Sequence, residues 1–258
     1  MIKKISLFLL LLIQVSLVLA IQPFGANYTI INSTRATPDD AQSIQAQAGN
    51  VTEINIFGYS PTQSWQGYFG NITGTIQLAD VSDNVMYNWS LASPEGEIYT
   101  STSNSINWAN IQCLNYTADG THTDESGQGG TTSQHGTNLS QLEALFGIEF
   151  DDVDGINETF NLIGAGTHDL FYTNNLEFQE GECRSTRLFS NAGMGENDKF
   201  EEVLLYEPTT QSVVFTSLLD EDVLGFDGRT HDFEMLVPED GHGTDTSTTT
   251  YYFYVELE

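Results

Sequence analysis

Apolar and polar residues alternate with a period of two along several short stretches of the chain, which is typical of half-buried β-strands. In the clearest stretch, Ile76 and Leu78 alternate with polar residues, and beyond a turn Tyr87 and Trp89 continue the alternation. Two such runs on either side of a short turn predict a β-hairpin. We expect these four side chains to point into the core of the protein.

Similar short runs, rich in β-branched and aromatic residues and bounded by turn residues, recur through the rest of the chain. They predict an all-β fold, an antiparallel β-sandwich of the Greek-key or jelly-roll kind. The exception is a Ser-x-x-Glu capping box at Ser140–Glu143, which predicts one short helix near 140–146. The further strands are predicted at 51–59, 97–100, 105–114, 159–163, 168–173, 183–189, 200–206, 212–218, 230–236 and 250–257.

Residues 1–20 have the organisation of a secretory signal peptide. Lys3 and Lys4 precede an apolar run that ends in a small-residue cleavage site at Ala20. That run is shorter than the ~20 residues that a membrane-spanning helix needs. We therefore expect a secreted protein, extracellular or at the cell surface, with no integral membrane anchor after the signal is cleaved.

Residues 21–49 are mostly polar or small, and they are expected to form an amino-terminal arm or strand. Residues 50–258 are expected to form the β-sandwich domain, and the Gly-, Ser- and Thr-rich loop 118–138 leaves open its division into two lobes. Two interpretations of the arm stay open. It is a mobile terminus, or it supplies a donor strand at 27–33 that inserts into the sheet of a neighbouring copy.

The formal net charge of the chain is −29, from 36 acidic and 7 basic residues. A nucleic-acid partner would require clusters of Lys and Arg to neutralise phosphates, so we expect none. The excess of acids also means that dissolved cations or salt must limit the repulsion between like charges.

Two cysteines, Cys113 and Cys183, occur in a chain that is expected to be exported. A disulfide is the default prediction for such a pair. Closing a loop of about 70 residues would stabilise the fold by ~4 kcal/mol in the chain-entropy model. The alternative, a reactive or metal-binding thiol pair, has neither Cys-x-x-Cys spacing nor a neighbouring His pair to support it.

The chain contains eight Asn-x-Ser/Thr triplets, which are acceptor sequences for N-glycosylation. Several of these asparagines share a parity with polar strand residues, so they are expected to point outward, where a bulky glycan fits. We therefore predict a glycoprotein, with ordinary polar strand and turn residues as the alternative. The eight asparagines are Asn27, Asn32, Asn50, Asn71, Asn88, Asn115, Asn138 and Asn157.

An acidic turn follows the predicted helix. Asp151, Asp152, Asp154 and Asn157 could supply oxygen ligands to calcium, because Gly155 allows the chain to bend there. The spacing differs from that of an EF-hand loop, so a solvated acidic turn is the alternative. Calcium is the only cofactor that the sequence suggests.

No pattern of catalytic residues stands out in the sequence. The chain lacks His-Glu-x-x-His and Gly-x-Ser-x-Gly motifs. His168 and His231 each precede an Asp in a predicted strand, where adjacent side chains point to opposite faces and form no local dyad. We therefore expect no catalytic residues and a protein that is not an enzyme.

Several strings resemble a recurrent group of secreted archaeal β-rich proteins of uncharacterised function. They are WQGYFGNITGTIQL, the run 85–99, FEEVLLYEPTTQSVVFTSLLDEDVLGFDG and TSTTTYYFYVELE. The resemblance covers most of the mature chain and implies an archaeal cell-surface or extracellular setting.

A weaker likeness of architecture is to archaeal donor-strand filament subunits. The expected function is a non-enzymatic structural protein, a filament or surface-layer-associated subunit. Its partners would be copies of itself or other cell-surface proteins. The alternative is a monomeric module for glycan binding or adhesion.

Overall fold

A computed structural model of the chain describes residues 22–91, 93–114, 116, 121–122, 134–135, 139–149, 152–241 and 248–257. The predicted signal peptide at 1–20 therefore lies outside the described residues. The same holds for Asn115, Asn138 and Asp151, for His242, and for most of the loop 118–138.

The described chain is built almost entirely from strands, with two short helices, α1 (Leu139–Ala144) and α2 (Ile156–Thr159), and a 3₁₀ turn at Trp108–Asn110. The strands are β1 (Phe24–Gly25), β2 (Trp65–Gly70), β3 (Thr75–Ala79), β4 (Val85–Ser90), β5 (Gly96–Ser101), β6 (Gln112–Cys113), β7 (Thr121–His122), β8 (Gln134–His135), β9 (Phe171–Thr173), β10 (Leu176–Phe178), β11 (Ser185–Arg187), β12 (Glu201–Glu207), β13 (Ser212–Leu218), β14 (Val223–Leu224), β15 (Thr230–His231), β16 (Phe233–Pro238) and β17 (Tyr252–Leu257).

The central sheet has the order β1-β17-β5-β13-β12-β11, and β6 also pairs with β12. Each of its strand pairs is antiparallel. The sheet is open, because its order ends at β11 without returning to β1. The predicted all-β, antiparallel class is therefore confirmed.

Both faces of this sheet are covered, which explains why four consecutive residues of β12, 203–206, are apolar or aromatic. Every residue of β12 is buried. Leu204 and Tyr206 belong to a first core on one face, and Val203 and Leu205 belong to a second core on the other. Adjacent strand residues point to opposite faces, so one strand serves both cores.

The first core lies between the central sheet and a second layer, made by the antiparallel pair of β2 and β16 together with the two helices. Met235 and Val237 of β16 are buried in it. The β2–β16 pair is therefore the second sheet of the sandwich, and the central sheet is the first.

The predicted helix near 140–146 is present as α1, but the predicted strand at 159–163 is wrong. Residues 156–159 form α2, and only Leu162 makes an isolated bridge, to Ser185. The reason is spacing, since Ile156 and Phe160 are four residues apart and both are completely buried. A helical turn places such a pair on one face.

The predicted disulfide is present between Cys113 of β6 and Cys183, which lies just before β11. Both β6 and β11 pair with β12, so the bond joins two segments that border the same strand. Cys183 is completely buried in the second core.

The segment before β2 differs most from expectation. After β1, which pairs with β17, residues 27–60 are exposed and contain no strand, so the predicted strand at 51–59 is wrong. A period-two pattern makes a segment suitable for a sheet, but a strand also needs a neighbouring edge to pair with. We call residues 27–62 the extended arm.

Candidate functional site

The β3–β4 hairpin has the predicted strands but not the predicted burial. Ile76 pairs with Trp89 and Leu78 pairs with Tyr87. These four side chains share one face of the hairpin, which we call the apolar face. The exposed fraction of the side chain is 50% for Ile76, 51% for Trp89, 52% for Leu78 and 59% for Tyr87. The expectation that they point into the core is wrong.

The base of the hairpin is fixed to the body of the protein. Ile72 packs against the first core, and its backbone N–H donates to Asp232 at 2.8 Å. The N–H of Leu91 donates to the carbonyl of Gly74 at 3.1 Å, where a Cβ would collide with the side chain of Leu257. The hairpin is therefore a firmly anchored projection.

The turn of the hairpin is also well formed. Asp80 Oδ1 accepts hydrogen bonds from the backbone N–H groups of Ser82 and Asn84, each at 2.9 Å. Hydrogen bonds from Asn84 hold the pKa of Asp80 below its usual range. Such side-chain-to-backbone bonds are a standard way to stabilise a turn. The apolar face is thus presented in a defined geometry.

The two faces of the hairpin differ sharply in character. The Tyr87 and Trp89 rings lie 4.9 Å apart in an edge-to-face arrangement on the apolar face. On the opposite face, Gln77 pairs with Asn88 and donates to the Thr75 hydroxyl at 3.2 Å. A glycan on Asn88 would therefore leave the apolar face uncovered.

The extended arm is the second exposed apolar element of the described chain. Its first residues stay close to the sheet, because the Tyr28 ring lies 5.5 Å from that of Phe253. The arm also touches itself where the Tyr59 hydroxyl donates to the Thr37 carbonyl at 2.8 Å. Its large apolar side chains are more than half exposed. They are Tyr28, Ile30, Ile31, Ile44, Val51, Ile54, Ile56, Phe57 and Tyr59.

The predicted glycosylation asparagines that the structure describes lie mostly on the surface. Asn71 and Asn88 are exposed, as are Asn27, Asn32 and Asn50 on the extended arm. Asn157 is expected from the sequence to point outward beside the predicted strand at 159–163, but it is half-buried and lies in α2. Glycosylation itself stays a prediction.

Asp152, Asp154 and Asn157, the predicted calcium ligands that the structure describes, make contacts with separate partners, and Asp151 lies outside the described residues. Asp152 accepts a hydrogen bond from the Glu149 N–H at 2.9 Å, and Asp154 accepts one from the Thr62 hydroxyl at 2.6 Å. Asn157 Oδ1 is 3.5 Å from the guanidinium of Arg184. Among the described residues, no group of three or more His, Cys, Asp or Glu is arranged to hold a metal ion. Calcium binding stays a prediction.

Two of the histidines are buried and make structural contacts. The N–H of Cys183 donates to His168 Nε2 at 2.9 Å, which leaves Nδ1 to donate to the Asp169 carbonyl at 2.7 Å. Burial lowers the pKa of His168, in keeping with this neutral form. His231 Nε2 is 2.9 Å from Asp227 Oδ1 and its ring packs against Phe69. Neither ring lines the cleft beside residues 35–38 or the cleft at the end of β5.

A cleft of about 380 Å³, which we call the acidic cleft, lies at the end of β5. Burial first, and then the neighbouring Asp169 and Asp198, raise the pKa of Asp220 to about 6. Burial also raises the pKa of Glu201, whose carboxylate accepts a hydrogen bond from the Asp169 N–H at 2.6 Å. Sequence reasoning missed this cleft, because its acids come from separate segments of a uniformly acidic chain.

The acids of the cleft are used mainly to hold the backbone. Asp220 accepts a hydrogen bond from the N–H of Phe200 at 2.6 Å, and Glu201 also pairs with Arg187 at 3.3 Å. Raised pKa values in a cleft can mark a catalytic site, but structural networks raise them too. Here the hydrogen bonds account for the arrangement of both carboxylates.

Within the part of the chain that the structure describes, no helix has both the length and the apolar character needed to cross a membrane. No protein-family model matches this chain, and no curated protein or solved structure is detectably similar to it. The resemblance to secreted archaeal β-rich proteins therefore stays a prediction.

Proposed function

We propose that this protein is a non-enzymatic extracellular structural subunit that assembles with copies of itself through the extended arm. The observation that carries the proposal is the exposure of that arm next to a well-packed body. Single exposed apolar residues are ordinary, but a contiguous set marks an interaction site. Burying one large aliphatic side chain contributes about 1.5–3 kcal/mol.

Strand addition is the mode of assembly that fits such an arm. An extended segment joins a sheet edge by main-chain hydrogen bonds, and its alternate side chains fill pockets. The signal-peptide pattern at 1–20 and the exposed acceptor asparagines support export. The resemblance of the sequence strings supports an archaeal cell surface, as a filament or surface-layer-associated subunit.

The test compares the wild-type protein with a variant whose arm is polar, in which each residue of a set is changed to Ser. The set avoids Tyr28 and Tyr59, which contact other groups, and consists of Ile30, Ile31, Ile44, Val51, Ile54, Ile56 and Phe57. We expect the wild type to form oligomers in light scattering and electron microscopy, and the polar-arm variant to be a monomer with an unchanged melting temperature.

The matched control changes Gln42, Gln45 and Gln47 of the arm to Ser, and it should assemble like the wild type. Because the net charge is −29, assembly should also strengthen as salt rises and screens the repulsion between copies. A wild-type protein that stays monomeric at high concentration and high salt would refute the proposal.

A second candidate function, glycan binding or adhesion by a monomer, is favoured by one observation. Tyr87 and Trp89 form an exposed aromatic pair, and sugars stack on such rings. A glycan array probed with the wild type and with Trp89→Ala decides this. Binding that is lost in the variant supports the candidate, and no binding with or without calcium rejects it.

A further inference from the structure

The structure contains a matching surface for the extended arm. We propose that residues 51–59 of one copy pair as a third strand with the β3–β4 hairpin of a second copy and pack Ile54 and Ile56 beside its apolar face. This inference rests on the proposed function, self-assembly through the arm. It names the donor segment and the acceptor surface.

The hairpin is incomplete as it stands. A two-stranded hairpin with water on both faces is at best marginally stable, and a third strand or a covering layer is what usually stabilises one. Here Ile76, Leu78, Tyr87 and Trp89 are each about half exposed, while the base of the hairpin is held by the body. The hairpin forms a separate two-stranded sheet, so the outer edges of β3 and β4 are not paired with another described strand.

Residues 51–59 have the pattern that this acceptor requires. Ile54 and Ile56 fall on one side of an extended strand, with the small residues Thr52 and Gly58, and can extend the apolar face. The other side is mixed and consists of Val51, Glu53, Asn55, Phe57 and Tyr59. The nine residues are enough to span β3 and β4, which are 5 and 6 residues long. The segment has no proline that would interrupt pairing.

The other candidate donor, residues 27–33, is less suitable. Asn27 and Asn32 within it are both glycosylation acceptors, and a glycan on either one would obstruct a strand that must enter a sheet. Residues 51–59 contain no acceptor triplet, although Asn50 precedes them directly. The donor is therefore assigned to the second segment.

Charge favours the same pairing. Two copies of a protein with a net charge of −29 repel each other over most of their surfaces. The strands β3 and β4 contain no charged residue, and the segment 51–59 contains only Glu53. These two surfaces can meet with little like-charge repulsion.

A sugar is a less suitable occupant of the apolar face. Carbohydrate sites combine aromatic rings with polar groups that bind the hydroxyls. On this hairpin the polar side chains, such as Gln77 and Asn88, belong to the opposite face. An apolar strand needs no such groups, because its hydrogen bonds are made by the backbone.

Cross-linking tests the assignment directly. The full-length mature protein carries p-benzoylphenylalanine at position 87 in place of Tyr87, and unlabelled and ¹⁵N-labelled copies are mixed before irradiation. We expect cross-linked peptides that join position 87 of one isotope to residues 51–59 of the other. Cross-links within one chain only, cross-links to any other segment, or no cross-link would each overturn the assignment.

Paired variants separate this inference from the function on which it rests. Leu78→Thr with Trp89→Thr should weaken self-association at least about 100-fold, because two large apolar side chains lose their burial. Thr75→Ser with Gln77→Asn, on the opposite face, should leave self-association unchanged. Melting temperatures of the monomers should stay the same in both cases, since all four positions are exposed.

The pattern of failure identifies which idea is wrong. If the polar-arm variant assembles like the wild type, the proposed function falls. If the polar-arm variant is monomeric but the Leu78→Thr, Trp89→Thr protein assembles normally, the arm is still the donor and only the acceptor assignment falls.

Discussion

Glu97 of β5 and Glu256 of β17 are direct partners across the central sheet, and both carboxylates are buried beside the hydroxyl of Tyr99. That hydroxyl lies 3.2 Å from each of them. Two acidic side chains placed opposite each other in a sheet are an unfavourable pair unless hydrogen bonds satisfy their oxygens. The Tyr99 hydroxyl is placed to donate to either of them where β5 pairs with β17.

We expect Tyr99→Phe to lower the free energy of unfolding by about 1–3 kcal/mol, because it removes a buried donor from two acidic groups. The control is Tyr254→Phe, which removes a hydrogen bond to the neutral Ser103 carbonyl and should cost about 0.5–1.5 kcal/mol. Urea unfolding of both variants measures the difference. An equal or smaller loss for Tyr99→Phe would show that its hydroxyl does not stabilise the carboxylates.

We expect Gly96→Ala to lower the free energy of unfolding by about 2–4 kcal/mol. Gly96 has a φ of +122°, and a Cβ there would overlap the backbone carbonyl oxygen of Glu256, which cannot move without breaking β17. The control is Gly67→Ala in β2, where a Cβ would be 3.9 Å from Leu236. If thermal unfolding shows the same small effect for Gly96→Ala and Gly67→Ala, then Gly96 of β5 does not lie this close to the Glu256 carbonyl of β17.

We expect Asp220→Asn to raise the free energy of unfolding at pH 7 by about 1–3 kcal/mol. The folded pKa, about 6, is above the ordinary value of 3.8. The folded state therefore binds this proton more tightly than the unfolded state, and stability falls as pH rises from about 4 to 6. Asparagine carries no charge and can still accept the hydrogen bond from Phe200.

The measurement is unfolding at a series of pH values. The advantage of Asp220→Asn should be complete above pH 6 and should disappear below about pH 4. Glu95→Gln, which removes one charge at an exposed position of the same cleft, is the control for general repulsion. If Asp220→Asn raises the free energy of unfolding equally at pH 3 and pH 7, the stabilisation does not come from the raised pKa of Asp220.

We expect reduction of the Cys113–Cys183 disulfide to lower the free energy of unfolding by ~4 kcal/mol, since the bond closes a loop of about 70 residues. The double variant Cys113→Ala, Cys183→Ala should show a similar loss and should not respond to reductant. Unfolding in guanidinium with and without reductant makes the comparison. A reductant effect that persists in the double variant would assign it to something other than this bond.

The sequence predicted the central strands well because their patterns are strong and their ends are marked by turn residues. The strand at 212–218 has the predicted bounds, and the hairpin at 75–90 has the predicted pairing. Burial was harder to predict. Alternation shows that the two faces of a strand differ, but it does not show how far the apolar one is covered, and Ile76 and Trp89 are about half exposed.

The features that sequence reasoning missed depend on distant parts of the chain. Ile156 and Phe160 form a pair at helical spacing that is too short to stand out from its surroundings. Asp169, Glu201 and Asp220 meet in the acidic cleft from distant segments of the chain, and only Glu201 of the three lies in a strand, β12. In a chain with 36 acidic residues, no spacing sets these three apart.

The covalent link between Cys113 and Cys183 has a consequence for a protein exposed to proteases. A single cut of the backbone anywhere between these two residues leaves the two fragments joined through sulfur. The polar loop 118–138 lies inside that interval, so damage there releases no piece of the molecule. When the only cut lies within that interval, electrophoresis should show one band without reductant and two fragments with it.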